Sequence, residues 1–536
     1  MAKIILNMFD GGLAPRHFYT GSGTFFNKYQ EVDQYTGGML NPIFEDAYGF
    51  IVPGNSTFTS VSGEGALSTD RILSIISVDD NNSNVDTTNG TSFYFAQGNK
   101  FFALDPTTDT IESTGGFPIT LTHGAHTNLV VDRIVQFGDD TGIPTVHVFG
   151  RDATDAFAGV FDKTNGYSED GVAGDTTNWN NCGLNNLHKI VVAPADNTFL
   201  YFAQDNKVHQ FSGTVGANTV RPNVLVLSKT SRIADMHDAF GKMWILVKPY
   251  SQKTDTTSGL NTFSTSRKCL VLVWNRISTQ VAIDDSIALD DCNDVSYLYP
   301  HEGTIYAFVN GSNKINQLRV FDGKKFVLAA EIGRNEDGVP ACKDSIIDYM
   351  GGILWQDTAA VLWWYGQPVG SSKKRLYKIG RSSTATAGTG GAIISKSTST
   401  IYTTKTVSGS VKIEKWNSQD GSATSGGITI SIGNINIPKL STINGITLFF
   451  LQSIDNTDTG TSALYINTNN YSNTISATVT IDHNVDIPRG YLYAPLNINN
   501  VNVLGLSFEY SSSARIIDLP LIYKIEIDYT PTTKLK

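Results

Sequence analysis

His123 and His126, in the run Thr122-His123-Gly124-Ala125-His126-Thr127, have a spacing at which two imidazoles on one turn could share a metal. No third ligand is placed nearby in sequence, so exposed loop histidines are the expectation. The group Asp235-Met236-His237-Asp238, just before the apolar run at Met243, could form an acid–base pair. Polar residues at such a place more often brace a turn through hydrogen bonds. Two acidic runs, Asp79-Asp80-Asn81-Asn82-Ser83-Asn84 and Asp284-Asp285 with Asp290, Asp291 and Asp294, offer clustered oxygens of the kind calcium takes. Neither has the spaced pattern ending in Glu of an EF-hand, and both read as solvated loops. Trp355, Trp363, Trp364 and Tyr365 invite comparison with a sugar platform. On a strand, however, Trp363 and Trp364 point to opposite faces, so at most one is exposed and the other fills a core.

Other chemistry is scarce. The chain has no HExxH, no GxSxG elbow, no GxxxxGK[ST] loop and no GxGxxG after a strand. Its cysteines, Cys182, Cys269, Cys292 and Cys342, are widely spaced and form no CxxC pair, which excludes a zinc ribbon and a dense disulfide framework. Cys269, beside Leu270-Val271-Leu272-Val273, reads as buried and reduced. No residue is assigned a catalytic, cofactor-binding or metal role, no cofactor is implied, and the chain reads as a non-enzyme.

The formal charge of −10 argues against a surface built to grip phosphate backbones. The one basic cluster, Lys373-Lys374-Arg375 with Lys378 and Arg381, flanks the strand-like Leu376-Tyr377 and reads as a solvated turn, with contact to an acidic partner as the alternative. Residues 1–10 are too short an apolar run for a secretory signal, and no stretch approaches the roughly 20 apolar residues that cross a bilayer. Synthesis in a cytoplasm is the expectation.

The elements that would position these residues announce themselves by repetition. Tyr94-Phe95-Ala96-Gln97 with Asn99-Lys100, Tyr201-Phe202-Ala203-Gln204 with Asn206-Lys207, and Tyr306-Ala307-Phe308 with Asn313-Lys314 stand 107 and then 105 residues apart. That interval suits two β-propeller blades of roughly 40–50 residues each. Weaker copies fill the gaps at Val146-His147-Val148-Phe149, Met243-Trp244-Ile245-Leu246-Val247 and Ile353-Leu354-Trp355. Each copy reads as strand, polar turn and second strand, such as Phe101–Leu104, Val208–Phe211 or Leu318–Phe321. A lone sheet of this kind cannot bury both faces; radial packing against like neighbours does.

The expected fold is therefore all-β: a β-propeller of six to seven blades followed by a C-terminal β-sandwich or jelly-roll-like domain. Charged residues make up 17% of the chain, below the roughly 25% usual in soluble proteins, and 49 glycines suit abundant turns. Four regions follow: an N-terminal strand and extended arm (1–50), the propeller (51–380, with an insertion at 251–267), a linker (381–391, Arg381 through Gly391) and the sandwich (392–536). In the sandwich, Tyr523, Ile525, Ile527 and Tyr529 alternate and would face one side of a strand. Residues 50–59 are a candidate for part of a seventh blade, and residues 1–10 for a strand that returns to close the last one.

Three stretches resemble a group of bacteriophage tail-associated propellers, of the tail nozzle and muzzle type. They are the opening Ile4-Ile5-Leu6-Asn7-Met8-Phe9-Asp10-Gly11-Gly12-Leu13, the first repeat Phe93–Lys100, and the closing Leu521-Ile522-Tyr523-Lys524-Ile525-Glu526-Ile527-Asp528-Tyr529. The resemblance covers most of the chain in layout and little in strict identity. It implies a structural virion protein made in the host cytoplasm. Such a subunit forms a homo-oligomeric ring with other tail proteins (adaptor or tail-tube, fibres) and meets viral DNA transiently as it is ejected. An acidic lining would keep a sliding phosphate backbone from sticking.

Two other classes remain open. In one, residues 392–536 form an adhesive module for a receptor or glycan, signalled by exposed aromatics on one sandwich face. In the other, the propeller hydrolyses glycans; that class carries repeated S-x-D-x-G-x-x-W turns, and only Ser418-Gln419-Asp420-Gly421 comes near. A glycosidase also needs two facing carboxylates, for which the repeats offer no obvious pair.

Overall fold

The computed structural model describes residues 2–6, 36–38, 58–79, 91–113, 116–121, 130–140, 143–151, 156–162, 166–169, 190–194, 199–204, 206–212, 219–228, 230–249, 253–254, 261–262, 268–281, 285–311, 314–334, 338–368, 371–381, 389–407, 409–419, 428–450, 460–468, 475–510 and 522–532. All six aromatic phrases fall on the second strand of an antiparallel meander. These second strands are Thr91–Gln97, Ile143–Arg151, Leu200–Gln204, Lys242–Pro249, Thr304–Gly311 and Gly352–Gln356, in blades 1 to 6. The innermost strands are Ile75–Asp79, Val130–Asp140, Val191–Val192, Ser231–Ala239, Cys292–His301 and Ile346–Tyr349. They follow one another round the ring, most of them in direct contact, and His301 hydrogen-bonds Asp348 between blades 5 and 6. The insertion in blade 4 includes a small hairpin, Lys253–Thr254 paired with Asn261–Thr262.

A seventh blade closes the ring, and it corrects the expected boundaries. Thr389–Ser395, Thr400–Val407 and Ser410–Asn417 form three strands of this blade, so residues placed in the linker and the sandwich belong to the propeller. Its fourth, outer strand is Thr59–Ser60, with Thr59 opposite Lys415 and Ser60 opposite Glu414. The next residue continues the ladder through Val61 N–H donating to Ile413 O at 3.0 Å. Gly390 and Gly391 look like linker residues but are close-packing ones. A Cβ on Gly391 would lie 2.5 Å from Ile72 O and 2.4 Å from Thr404 Oγ1.

The paired aromatics have a packing reason. Successive residues of a strand point to opposite faces, and a blade is covered on both. Tyr94 packs into the seam between blades 1 and 2 with Phe101, Val148 and Phe161, while Phe95 packs into the seam with blade 7 beside Tyr402 and Ile413. Tyr201 and Phe202 split the same way between blade 4 and blade 2. Trp363 lies against Trp355 in the seam with blade 5, and Trp364 against Tyr377 in the seam with blade 7. Every seam of the ring carries such a cluster. Each fully buried large side chain contributes about 1.5–3 kcal/mol, so the seams dominate ring stability.

The C-terminal domain is one sheet built around two long strands, Ile428–Phe450 and Tyr491–Tyr510, with Thr461–Thr468, Ala477–Asp482, Ile522–Pro531, Ala2–Leu6 and Thr36–Gly38. The ladder between the long strands shifts register between Ile432 and Gly445, and Lys439 and Asn500 take positive φ there. Strands that bend in this way can pass from one layer of a sandwich to the other. The two halves share one core: Ile446, Leu448, Ile525 and Ile527 from one, Leu464, Ile466, Leu506 and Phe508 from the other. Residues 2–6 do not close the propeller. They pair with 525–529, Ala2 opposite Tyr529, and Lys3 Nζ reaches Glu526 at 2.8 Å. The alternation expected for 523–529 breaks at Tyr523. A register shift between Phe449 and Phe450 leaves an extra residue, so Ile522 turns inward and Tyr523 is 39% exposed.

Candidate functional site

The hub of the ring is where a propeller offers converging side chains, and here the chain fills it with its own turn. The 3-10 turn Lys343–Ser345 enters blade 6, held by a reciprocal pair in which Ser345 Oγ donates to Cys342 O at 2.7 Å and Cys342 N–H donates to Ser345 Oγ at 3.2 Å. Asp344 accepts from Arg133 of blade 2 and from Ser74 at the start of blade 1. Lys343 donates to Asp235 of blade 4 and, at 2.8 Å, to Leu298 O of blade 5. Asp235 in turn accepts from Leu298 N–H at 2.7 Å. Arg71 donates to Gly390 O at 2.5 Å, which ties in blade 7. Burial pushes the Asp235 carboxyl up, against the pull of Lys343, and pushes the Lys343 ammonium down, against the pull of Asp235.

This arrangement decides the reading of Asp235-Met236-His237-Asp238. Asp235 faces the hub as a partner of Lys343 and Leu298, Met236 fills the seam between blades 3 and 4, and His237 Nδ1 contacts Asp238 O at 3.1 Å. Burial, with Lys343 and Arg133 adding to it, lowers His237 to about 3, so it stays neutral. The group braces the ring.

The second constellation lines a cavity of about 680 Å³ between the ends of blades 5, 6 and 7. His301 Nδ1 meets Asp348 Oδ1 at 2.7 Å, and its buried Nε2 lies 3.7 Å from Glu302 Oε1, with no hydrogen-bond partner among the described residues. Glu302 also accepts from Lys374, whose ammonium lies 3.4 Å from Tyr306 Oη. A carboxylate on Nδ1 fixes the imidazole tautomer and leaves Nε2 as the atom that could exchange a proton or accept a hydrogen bond. Sequence reasoning missed this trio. His301-Glu302 sits in a hairpin turn, and only blade packing brings Asp348 to it.

The other candidates disperse. His123, His126 and Cys182 lie outside the described residues, as do Asp80 to Asn84, Asp284 and Asp420. Asp290 pairs with Lys268 at 2.5 Å and Asp294 with Lys248 at 3.1 Å, so two carboxylates of the second acidic run are taken by lysines. Among the described residues no three metal-ligating side chains gather. Lys374 serves Glu302 and Lys378 lies 4.7 Å over the Trp363 ring, which makes these two members of the basic cluster structural. Trp355, Trp363, Trp364 and Tyr365 are all buried, and none of them offers a sugar platform. Cys269 is buried as expected, but it is not isolated: Cys292 lies beside it.

Among the described residues no helix is long and apolar enough to cross a membrane. No protein-family model matches the chain, and no characterised protein matches it in sequence. Solved structures match the chain at low similarity. Raptor from Chaetomium thermophilum is 5% identical over 68% of this chain and 29% of its own, with a TM-score of 0.39. Hsv2 from Kluyveromyces lactis is 9% identical over 69% of this chain and 94% of its own, at 0.31. An exo-beta-1,3-galactanase from Phanerochaete chrysosporium is 11% identical over 75% of this chain and 100% of its own, at 0.25. The chain thus spans under a third of Raptor. Likeness at this level carries no functional argument, and the assignment of an all-β propeller rests on the sheets themselves.

Proposed function

We propose that the chain is a structural subunit of a bacteriophage tail, of the nozzle or muzzle kind, that assembles as a homo-oligomeric ring on the path of ejected DNA. The observation that supports this reading best is the double stitch of the N-terminal segment. Ala2–Leu6 extends the sheet that ends the chain, and Thr59–Ser60 then seals the propeller. Both domains are tied through backbone ladders, the construction expected of a part that bears load. The hub is occupied by Lys343 and Asp344, so a DNA path in this reading runs between copies and not through one propeller. The net charge of −10 would repel phosphate along that path. Adaptor, tail-tube and fibre proteins are the proposed partners, and no catalytic step is proposed.

Light scattering over a range of concentrations tests this. A discrete assembly on the order of six copies or more, as closed rotational symmetry requires, supports the ring. A monomer at all concentrations that is also absent from purified particles overturns it.

One feature favours a second reading, adhesion through the C-terminal domain. Tyr491 and Tyr493, 51% and 49% exposed, lie on one face of their strand, with Tyr491 opposite Phe449. The Phe449 ring is 6.2 Å from that of Tyr523. A row of exposed rings of this kind can stack on sugar faces. A trimeric mass, with glycan binding lost in Tyr491→Ala and Tyr493→Ala, would favour this reading over the ring.

A further inference from the structure

We propose that Cys269 and Cys292 are a redox site, forming a reversible disulfide that clamps blade 4 to blade 5. Cys269 opens the third strand of blade 4, Cys269–Trp274, and Cys292 opens the first strand of blade 5, Cys292–His301. The Cys269 sulfur is fully buried in the seam between the two blades and lies 4.0 Å from Cys292 O. Cys292 is half-buried against the same cluster, and its sulfur reaches Asp294 O at 3.0 Å.

The segment carrying Cys292 is pinned from several sides. Arg319 donates to Asp290 O at 2.5 Å and to Asp291 O at 3.4 Å. Asn293 donates to Gly311 O at 3.2 Å, and Lys248 pairs with Asp294 at 3.1 Å. Thiols held together by a fixed frame on both blades have little entropy left to lose on bonding, and a disulfide spans only a few ångströms between Cβ atoms.

The pair also has complementary acidity. The neighbouring Cys292 side chain holds the Cys269 thiol below its ordinary range, while Cys269 and burial push Cys292 up. Cys269 attacks as the thiolate, and the proton it gives up goes to the departing oxygen. With a hydroperoxide as oxidant, the Cys269 thiolate attacks the peroxide oxygen. The O–O bond breaks, the departing oxygen leaves as water, and Cys269 becomes a sulfenic acid. The Cys292 sulfur attacks Cys269, and its proton leaves with the sulfenic hydroxyl as a second water. Two thiols and one hydrogen peroxide give one disulfide and two waters. Cys342, buried at the hub with its thiol raised to about 12 and in another seam, is an internal control.

The test is peptide mass spectrometry on the full chain after hydrogen peroxide, with N-ethylmaleimide blocking the remaining thiols. The expected result is a crosslinked pair of peptides containing Cys269 and Cys292, lost on dithiothreitol, with Cys342 alkylated only after unfolding. The oxidised wild type should also melt several degrees higher than its reduced form, a rise absent from Cys292→Ser and Cys269→Ser. Recovery of Cys269 and Cys292 as separate unlinked peptides after oxidation overturns the proposal. A bond from either to Cys182 or Cys342 overturns it equally.

Discussion

Lys343 reaches across the hub and places its ammonium against the carboxylate of Asp235, two blades away from its own. Both side chains are shielded from water, Asp235 at 3% side-chain exposure and Lys343 at 15%. An ion pair so placed costs much desolvation energy, and removing one partner costs more than removing both.

Lys343→Ala should therefore destabilise the propeller by about 3–5 kcal/mol, because it strands a buried carboxylate. The double change Lys343→Met with Asp235→Asn, which keeps an acceptor for Leu298 N–H, should recover most of that loss. Thermal denaturation of the single and double variants checks both. A single variant as stable as wild type would show that the hub pair does not hold the ring.

Acid should weaken the protein well above the carboxylate range. Burial lowers His147 and His209 to about 4 and His237 to about 3, each against an ordinary value of 6.5. A depressed value means the folded state prefers the neutral ring. The stability from these rings is complete above about pH 6.5 and falls as pH drops toward 4, by about 2 kcal/mol per histidine at pH 5. Asp109 is held below 3.8, since Lys396, Lys415 and Tyr402 outweigh its burial, and adds its own loss only below about pH 4. Melting temperature should be flat from pH 8 to 7 and fall steeply from 6 to 4. His147→Phe should flatten part of that slope.

The ring closure should be separable from the C-terminal stitch. Val61→Pro removes the donor to Ile413 O at the seam, and Asp109→Ala removes the acceptor shared by Lys396, Lys415 at 2.6 Å and Tyr402. Each should lower the propeller transition, Asp109→Ala by about 1–3 kcal/mol. Deleting residues 1–6 uncovers the Ile522–Pro531 edge and should lower the transition of the C-terminal domain instead. Calorimetry resolves the two. A propeller transition lowered by that deletion would contradict the pairing.

Gly391→Ala tests whether the glycine pair is packing or linker. With Ile72 O and Thr404 Oγ1 inside contact distance of the new methyl, the variant should lose about 1–3 kcal/mol. A linker glycine would tolerate the change, and the melting temperature would stay put.

Much of this architecture is legible in the chain. The doubled aromatics at 94–95, 201–202 and 363–364 declare strands covered on both faces, and the spacing of the phrases at 94, 201 and 306 counts blades, because strand alternation and radial packing are local consequences of sequence. The same spacing also points to Ile401-Tyr402 on the second strand of blade 7, a copy hidden by its threonine-rich surroundings. Gly390-Gly391 reads as a linker because composition cannot tell freedom from crowding; only the neighbouring backbone of Ile72 makes the difference.

What the sequence could not contain was distance across the ring. The pairing of residues 2–6 with 525–529, the meeting of Lys343 with Asp235, the trio at His301 and the contact of Cys269 with Cys292 join elements of different strands and blades. The local pattern determined that the chain is a β-propeller with a further β domain, since apolar alternation and turn chemistry act over a few residues. Which charges share the hub, and which thiols touch, was decided when the seventh blade closed. Only closure sets the angle between blades, and with it the neighbours of every side chain that faces inward.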